Sequence, residues 1–238
     1  GVGIATDIAN LFCASVIVWL LSRESDPFRL RPRHITIYKS ELKRILQIGL
    51  PAGLQSMVFS LSNIFVQSAI NGFGSAAVAG SSVAQMFEAY CYFLLGSFSG
   101  AAVTFVGQNY GAGQMSRCKR IYWICLTGGM VVCIIANALF MLFAENILSL
   151  FTTDTQVIYY AKLRMETVLV FQWIAAVYDV TSSTLRGYGH SLEPALFTIF
   201  GTCVFRLLWV FYIFPIFSSY KQLMVIYPAS WLLTDVLL

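Results

Sequence analysis

Three charged residues lie deep inside long apolar stretches of the sequence, namely Glu88, Asp179 and Arg206, whereas Asp7 and Asp235 lie in such stretches nearer the chain ends. Charged groups are costly within a membrane, so they usually face the protein interior and mark the pathway of a substrate or an ion. A carboxylate in such a position can exchange a proton or a sodium ion reversibly. We therefore take Asp179 and Glu88 as the candidate residues for coupling to protons or another cation.

Uncharged polar residues recur at helical spacing along the same stretches. Residues three, four or seven apart lie on one face of a helix. Serine and threonine commonly hydrogen-bond neighbouring membrane helices, whereas asparagine, glutamine and carboxylates on the same stripe favour a shared polar cavity. Aromatic side chains beside such stripes suit organic cations through cation–π attraction. The predicted cavity-lining residues are Gln55, Asn63, Gln85, Tyr90, Tyr178 and Arg206.

An ion pair is the alternative role for Asp179. Asp179 precedes Arg186 by seven residues and so lies about 10 Å from that helix end, at 1.5 Å per residue. Arg206 follows Pro194 by twelve residues, which places it about 18 Å in from the same side. Because a long arginine side chain spans much of that difference, a structural Asp179–Arg206 pair stays open. Glu88 has no evident partner in the sequence.

The apolar stretches that carry these residues predict membrane helices. Hydrophobic residues make up 58% of the 238 residues and charged residues 11%, whereas soluble domains have about 45–50% and about 25%. A spanning helix needs about 20 mostly apolar residues, and the stretches lack the alternation of a β-barrel. We predict an all-α, polytopic transmembrane bundle. Its segments are Val2–Leu21, Ile45–Ile70, Ala76–Val106, Ile121–Phe143, Met165–Leu185, Pro194–Phe217 and the shorter Leu223–Leu238.

Lysine and arginine concentrate in alternate loops of this bundle. The first, third and fifth loops are basic; they carry Arg23, Arg29, Arg31, Arg33, Lys39, Lys43 and Arg44, then Arg117, Lys119 and Arg120, then Arg186. The opposite loops carry only Lys162, Arg164 and Lys221. The positive-inside rule predicts that the first set is cytoplasmic. Within the first loop, Ile35–Ile48 is predicted to be an amphipathic interfacial helix that leads into the second segment.

Other patterns restrict the function. The six cysteines form no Cys-x-x-Cys pair or ligand set, so we predict no metal site. Nucleophile, nucleotide-binding and zinc-protease motifs are missing from the sequence, so we predict no enzyme and no cofactor beyond a coupling H⁺ or Na⁺. The basic residues lie in short clusters between apolar runs, so we predict the lipid bilayer and no nucleic acid as a partner. The pairs Gly49/Gly53, Gly96/Gly100 and Gly107/Gly111 permit close helix packing.

Three short motifs carry a family resemblance: Gly49-Leu50-Pro51, Gly107-Gln108-Asn109-Tyr110-Gly111-Ala112 and Leu185-Arg186-Gly187-Tyr188-Gly189. Their spacing and the order of the helices resemble the bacterial branch of the multidrug and toxic compound extrusion (MATE) family over nearly the whole chain. The resemblance implies a multi-pass protein of the bacterial inner membrane with two six-helix lobes. On that template residues 1–21 are the last helix of the N-terminal lobe, and residues 22–44 are a cytoplasmic basic linker with an amphipathic helix. Residues 45–238 are the C-terminal six-helix lobe with its last helix truncated.

The resemblance also implies a function, secondary active efflux of small organic cations in exchange for protons or sodium ions by alternating access. On this view Asp179 and Glu88 supply the negative field, and the missing N-terminal lobe is an obligatory partner, so the chain alone is not expected to transport. Some members carry an acidic residue in the seventh helix, where this sequence has none near Phe59. Many carry an aspartate near the position of Ala175, one turn before Asp179. The coupling ion, and whether the coupling site lies in this lobe, therefore stay open.

A flippase for lipid-linked oligosaccharides or lipids is the alternative function, since such proteins are similar in helix count and lobe arrangement. A broad basic cavity would favour it, and Arg206 is the only base that the sequence predicts within the membrane. A membrane-bound acyl or prenyl transferase would need a carboxylate cluster or a histidine pair at a membrane face, and a purely structural subunit would not need the polar stripes.

Overall fold

The computed structural model describes residues 2–25, 29–31 and 36–238. Residues 26–28 and 32–35, which include Arg33 of the predicted basic loop and Ile35 of the predicted amphipathic stretch, lie outside the described residues. The chain divides into two compact units, Gly1–Ile45 and Leu46–Leu238. Helices make up nearly all of the described residues, and no strand occurs among them, so the predicted all-α fold is confirmed.

Twelve α-helices are found in the described part of the chain. They are α1 (Val2–Arg23), α2 (Lys39–Asn71), α3 (Ser75–Gly111), α4 (Met115–Leu142), α5 (Ala144–Phe151), α6 (Thr155–Thr167), α7 (Ala175–Gly187), α8 (Leu192–Thr198), α9 (Phe205–Leu208), α10 (Phe214–Phe217), α11 (Tyr220–Met224) and α12 (Ile226–Leu237). A 3₁₀ segment, Leu169–Ile174, joins α6 to α7. Two π-helical segments, Ile199–Val204 and Trp209–Ile213, flank α9.

Six helical stretches of the described chain are long and apolar enough to cross a membrane. Each coincides with one of the first six predicted segments. The seventh predicted segment falls on α11 and α12, and the 12 residues of α12 are fewer than the about 20 that span a bilayer. The predicted interfacial helix is not a separate element, because α2 begins at Lys39 and runs without interruption to Asn71.

Helix α3 lies at the centre of the second unit and packs against α4, α6 and α7. At Gly80 of α3, an added Cβ would lie 2.6 Å from the carbonyl oxygen of Val157 and 2.8 Å from the amide nitrogen of Ala161. The absence of a side chain there allows the backbones of α3 and α6 to approach closely. The predicted Gly-x-x-x-Gly pairs behave differently: of their six glycines, only Gly107 would bring a Cβ within 4 Å of another group in the described part of the chain.

We expect Gly80→Ala to lower the free energy of unfolding by about 1–3 kcal/mol, the usual cost of overpacking. The added methyl group would press on backbone atoms of α6, which cannot move aside as a flexible side chain can. The melting temperature of the purified protein in detergent should fall by several degrees. Gly100→Ala is the matched control, because Gly100 lies on the same helix and a Cβ added there would have no neighbour within 4 Å among the described residues. Equal melting temperatures for the two variants would contradict this account of the α3–α6 contact.

Candidate substrate cavity

A cavity of about 500 Å³ lies within the second unit, a size typical of small-molecule sites. Its wall combines side chains from α2, α3, α6, the 3₁₀ segment, α7, α9 and α12. Six of the lining side chains are aromatic: Phe59, Tyr92, Phe93, Tyr178, Tyr227 and Trp231. Three are charged, namely Glu88, Arg164 and Arg206, and among the uncharged polar ones are Asn63, Gln85 and Gln172.

Glu88 is held in an ion pair by Arg164. Nε of Arg164 donates to Oε1 of Glu88 at 2.6 Å, and Nη2 donates to Oε2 at 2.8 Å. The side chain of Arg164 is 1% exposed and that of Glu88 14% exposed. Gln172 fixes the same point of α3 by donating from Nε2 to the backbone oxygen of Glu88 at 2.8 Å. Such a bidentate pair is strong because both hydrogen bonds join opposite charges in a planar fork.

This pair corrects two expectations from the sequence. The sequence shows no evident partner for Glu88, and it places Arg164 in a loop. Helix α6 in fact begins at Thr155, ten residues before the predicted segment at Met165, so that Arg164 lies inside a membrane-length stretch, Thr155–Gly187.

Arg206 is a buried cation whose partners are neutral. Nη1 donates to Oδ1 of Asn63 at 2.8 Å, and Nε donates to Oγ of Ser230 at 3.1 Å. The guanidinium lies over the rings of Tyr227 and Phe59, at 4.6 Å and 5.1 Å from the ring centres. The residue is 1% exposed, and its Nη2 has no hydrogen-bond partner among the described residues.

The backbone around Arg206 is unusual. Helix α9 is a single α-helical turn between two π-helical segments, and π segments frequently occur at functional sites. The first π segment packs closely on α12, because a Cβ added at Gly201 would lie 2.5 Å from Oγ1 of Thr234. A hydrogen bond of 2.9 Å between the hydroxyls of Thr202 and Thr234 joins the same two elements. These contacts fix the segment from which Arg206 reaches the cavity.

Asp179 belongs to a second polar cluster that is not part of the cavity lining. Its Oδ2 accepts a hydrogen bond from Oγ of Ser99 at 2.5 Å. Arg186 interacts electrostatically with Asp179 and donates from Nη2 to Oε1 of Gln55 at 2.7 Å. The Asp179–Arg206 ion pair that the sequence left open is therefore not formed: Asp179 bonds to Ser99, and Arg206 to neutral oxygens.

Five of the predicted residues meet at the cavity: Asn63, Gln85, Glu88, Tyr178 and Arg206. Gln55 does not, because it precedes Asn63 by eight residues, about 12 Å along α2, and reaches Arg186 instead. Tyr90 does not either. It follows Glu88 by two residues, which turns it to the far side of α3, where it is 55% exposed and lines a separate apolar pocket with Leu94 and Leu139.

The structure also adds lining residues that the sequence did not single out for the cavity, chiefly Arg164 and Tyr227. Tyr227 lies beside both guanidinium groups, with its ring centre 5.0 Å from Cζ of Arg164 and 4.6 Å from Cζ of Arg206. The wall thus carries two guanidinium groups and one carboxylate. Of the two carboxylates that the sequence predicts for this role, Glu88 lies at the wall in its pair with Arg164, and Asp179 is not in the lining.

Comparisons with known proteins give consistent matches. The sequence model of the MatE family matches residues 51–212. The chain is 25% identical over 210 residues to the probable multidrug resistance protein NorM of Thermotoga maritima, an alignment that covers 87% of this chain and 44% of that protein. It is 27% identical over 203 residues to the probable multidrug resistance protein YoeA of Bacillus subtilis, which covers 84% of this chain and 44% of that protein.

The fold has a close match among solved structures. The outward-facing conformation of a multidrug resistance MATE family transporter of the MOP superfamily superposes with a TM-score of 0.85 at 20% sequence identity. That superposition covers 98% of this chain and 53% of the transporter. The chain therefore spans about half the length of the proteins that it matches, and it has the fold of that half.

Proposed function

Since the chain belongs to the MatE family, a family of membrane transporters rather than of enzymes, we propose that it forms the C-terminal lobe of a secondary multidrug efflux transporter. The lobe would work with a second, N-terminal lobe, and the cavity would open to one side of the membrane at a time. Residues 1–21 would be the last helix of the N-terminal lobe, and residues 22–44 a linker on the cytoplasmic side of a bacterial cell membrane.

The cavity is the main observation that supports this proposal. Its six aromatic side chains offer planar apolar surfaces, and the interleaved amide and charged groups offer hydrogen bonds that orient a ligand. A wall of this kind accepts varied flat organic molecules, as an exporter of many compounds requires. Organic cations are the substrates that the family resemblance implies, and the aromatic faces would attract them.

Coupling to an ion gradient is the second part of the proposal. Asp179 is our candidate for the exchanging carboxylate, because it accepts a hydrogen bond from the hydroxyl of Ser99 and forms no salt bridge with an arginine of the described residues. Glu88 is less suited to that role in this conformation, since both of its oxygens are engaged by Arg164. Either a proton or a sodium ion would compete with the substrate for the transporter.

Flipping of an acidic lipid is the second candidate function, and one observation favours it. The sequence predicted a single base within the membrane, whereas the cavity wall carries both Arg164 and Arg206. A lipid phosphate is the natural counter-ion for two guanidinium groups.

Gradient-driven transport by the full-length protein in vesicles tests the proposal. We expect a fluorescent organic compound to be expelled when a proton or sodium gradient is imposed, and we expect expulsion to stop when an ionophore collapses that gradient. Protein-free vesicles are the control for leakage. The efflux function would be rejected in favour of the flippase if movement of the compound did not depend on either gradient and a labelled acidic lipid exchanged between the leaflets.

A further inference from the structure

We infer that the cavity contains an anion subsite, in which Arg206, assisted by Arg164, binds the carboxylate or phosphate group of an amphipathic ligand whose apolar body lies against the aromatic wall. The inference rests on the proposed function, since it names the chemistry of the substrate for the same cavity. It differs from the organic cations that the family resemblance implies.

The hydrogen bonds of Arg206 carry the inference. A guanidinium has five N–H donors and no acceptor, and the partners of this one are the neutral oxygens of Asn63 and Ser230. Nη2 is left without a partner among the described residues, although the side chain is almost fully buried and lines the cavity. A buried charge is costly unless it is paired. The cavity is the space from which an anionic partner can reach it.

Glu88 is not that partner in this arrangement, because it is paired with Arg164. Each of its oxygens already accepts a hydrogen bond from Arg164, at 2.6 Å and 2.8 Å. Glu88 is the one carboxylate among the described lining side chains, and no carboxylate of the described residues forms a salt bridge with Arg206. Arg164 also retains one free donor group, because its Nη1 has no hydrogen-bond partner in the described part of the chain.

The two guanidinium groups lie close to one another. Both contact the ring of Tyr227, and the distances of 5.0 Å and 4.6 Å from its centre place the two Cζ atoms less than about 10 Å apart. Because Glu88 offsets the charge of Arg164, the three charged side chains of the wall carry one net positive charge in a place where water is scarce. One bound acid group would offset that charge and satisfy free donors of both guanidinium groups, which are well suited to carboxylate and phosphate.

The rest of the wall fits the apolar part of such a ligand. Phe59 lies beside the guanidinium of Arg206 at 5.1 Å, and Tyr92, Phe93 and Trp231 extend the apolar surface from there. A molecule with an acid group at one end and a hydrocarbon or aromatic body at the other would satisfy both parts of the cavity. An organic cation would satisfy the aromatic part alone.

Three probes with one body and different head groups test the inference on the full-length transporter in phosphatidylcholine nanodiscs. They are a dansyl-labelled fatty acid, its primary amide and its trimethylammonium analogue. We expect the acid to bind at least about tenfold more tightly than either of the others, the order expected for a charge-assisted hydrogen bond. Equal affinities, or preference for the trimethylammonium probe, would overturn the inference without any substitution in the protein.

Variants locate the subsite. Arg206→Gln should weaken binding of the acid about tenfold and leave binding of the amide unchanged, and Arg206→Lys should recover part of the loss. Arg120→Gln is the matched control, because Arg120 is exposed on α4 and lies outside the cavity. An acid that binds Arg206→Gln as tightly as it binds the wild type would place the anion elsewhere and overturn the assignment.

Two further measurements are needed. One distinguishes a lipid phosphate from a soluble organic acid, and the other distinguishes failure of the anion subsite from failure of the proposed efflux function. If phosphatidylglycerol in the nanodisc displaces the acid probe from the wild type, the subsite takes a lipid phosphate; if it does not, the subsite takes a soluble organic acid. Either outcome supports an anion subsite. Gradient-driven transport of any of the three probes tests the proposed function alone. Tight binding of the acid without such transport would reject the efflux function and support the anion subsite. Transport of the trimethylammonium probe alone would support the efflux function and reject the anion subsite.

Discussion

Replacing Glu88 by glutamine is expected to reduce the free energy of unfolding by about 3–5 kcal/mol, the cost of removing one partner of a buried ion pair. The substitution leaves the guanidinium of Arg164, which is 1% exposed, without its counter-charge. A second buried guanidinium, that of Arg206, contacts the same tyrosine ring, so the local excess of positive charge would double. We expect a large fall in the melting temperature of the purified protein and a lower yield of folded protein.

Two comparisons isolate the effect. Glu145→Gln removes the carboxylate of the ion pair with Lys162, in which both side chains are well exposed. The hydrogen bond from Lys162 lowers the pKa of Glu145, but exposed pairs contribute little, so its melting temperature should barely change. The double variant Glu88→Gln/Arg164→Gln removes both charges and should recover much of the stability, since replacing a buried pair as a whole is often close to neutral. A double variant no more stable than Glu88→Gln would contradict the pairing.

The same result bears on how a functional experiment should be interpreted. From the sequence, Glu88 is a candidate for ion coupling, and loss of transport in Glu88→Gln would be taken as support. In the structure the carboxylate neutralises Arg164, so loss of transport follows from loss of folded protein or from a rearranged cavity. Transport that returns in the double variant would show that Glu88 is a structural partner and not the coupling residue.

The helices were predictable because apolar length alone determines them. About 20 apolar residues can span a bilayer, and their backbone groups must bond internally, so each of the first six predicted segments coincides with a helical stretch of the described chain. The error at α6 has a physical cause. Its residues Thr155–Thr167 mix charged and apolar side chains, with Val157, Ala161 and Arg164 on the buried face, and a search for long, uniformly apolar runs does not detect a helix that is half polar.

The partners of the charged side chains were not predictable from spacing. The argument for an Asp179–Arg206 pair used only the depth of each residue along its helix. Depth does not specify the direction in which a side chain points, and Asp179 turns to Ser99 whereas Arg206 turns to Asn63 and Ser230. Helical phase would have excluded Tyr90 from the cavity wall, since a residue two positions after Glu88 points to nearly the opposite face of α3. The polar stripes of the separate helices carry more information, because residues on one helix face point the same way, and Asn63, Gln85, Glu88 and Arg206 from three helices all line the cavity.

Replacing Asp179 by asparagine is expected to abolish gradient-driven efflux while leaving the fold intact. Asparagine has nearly the same shape, and its Oδ1 can still accept the hydrogen bond from Ser99, so the contact between α3 and α7 is kept. An amide cannot release or bind a proton near neutral pH and carries no charge to neutralise a sodium ion. Efflux of a dye under an imposed proton or sodium gradient should therefore fall to the level of protein-free vesicles, and the melting temperature should stay close to that of the wild type.

Glu166→Gln is the matched control for this substitution. Glu166 lies on the same membrane-length stretch, Thr155–Gly187, but its side chain is exposed and outside the cavity lining. Glu166→Gln makes the same change from carboxylate to amide, so any general effect of a lost negative charge would appear in both variants. Efflux that survives in Asp179→Asn would mean that ion exchange occurs in the part of the transporter outside this chain, with Asp179 serving only to hold Ser99. Loss of efflux in Asp179→Asn alone would place the coupling carboxylate beside the cavity, on the helix turn that also supplies Tyr178 to its wall, where ion binding and substrate binding can compete through one short segment of α7.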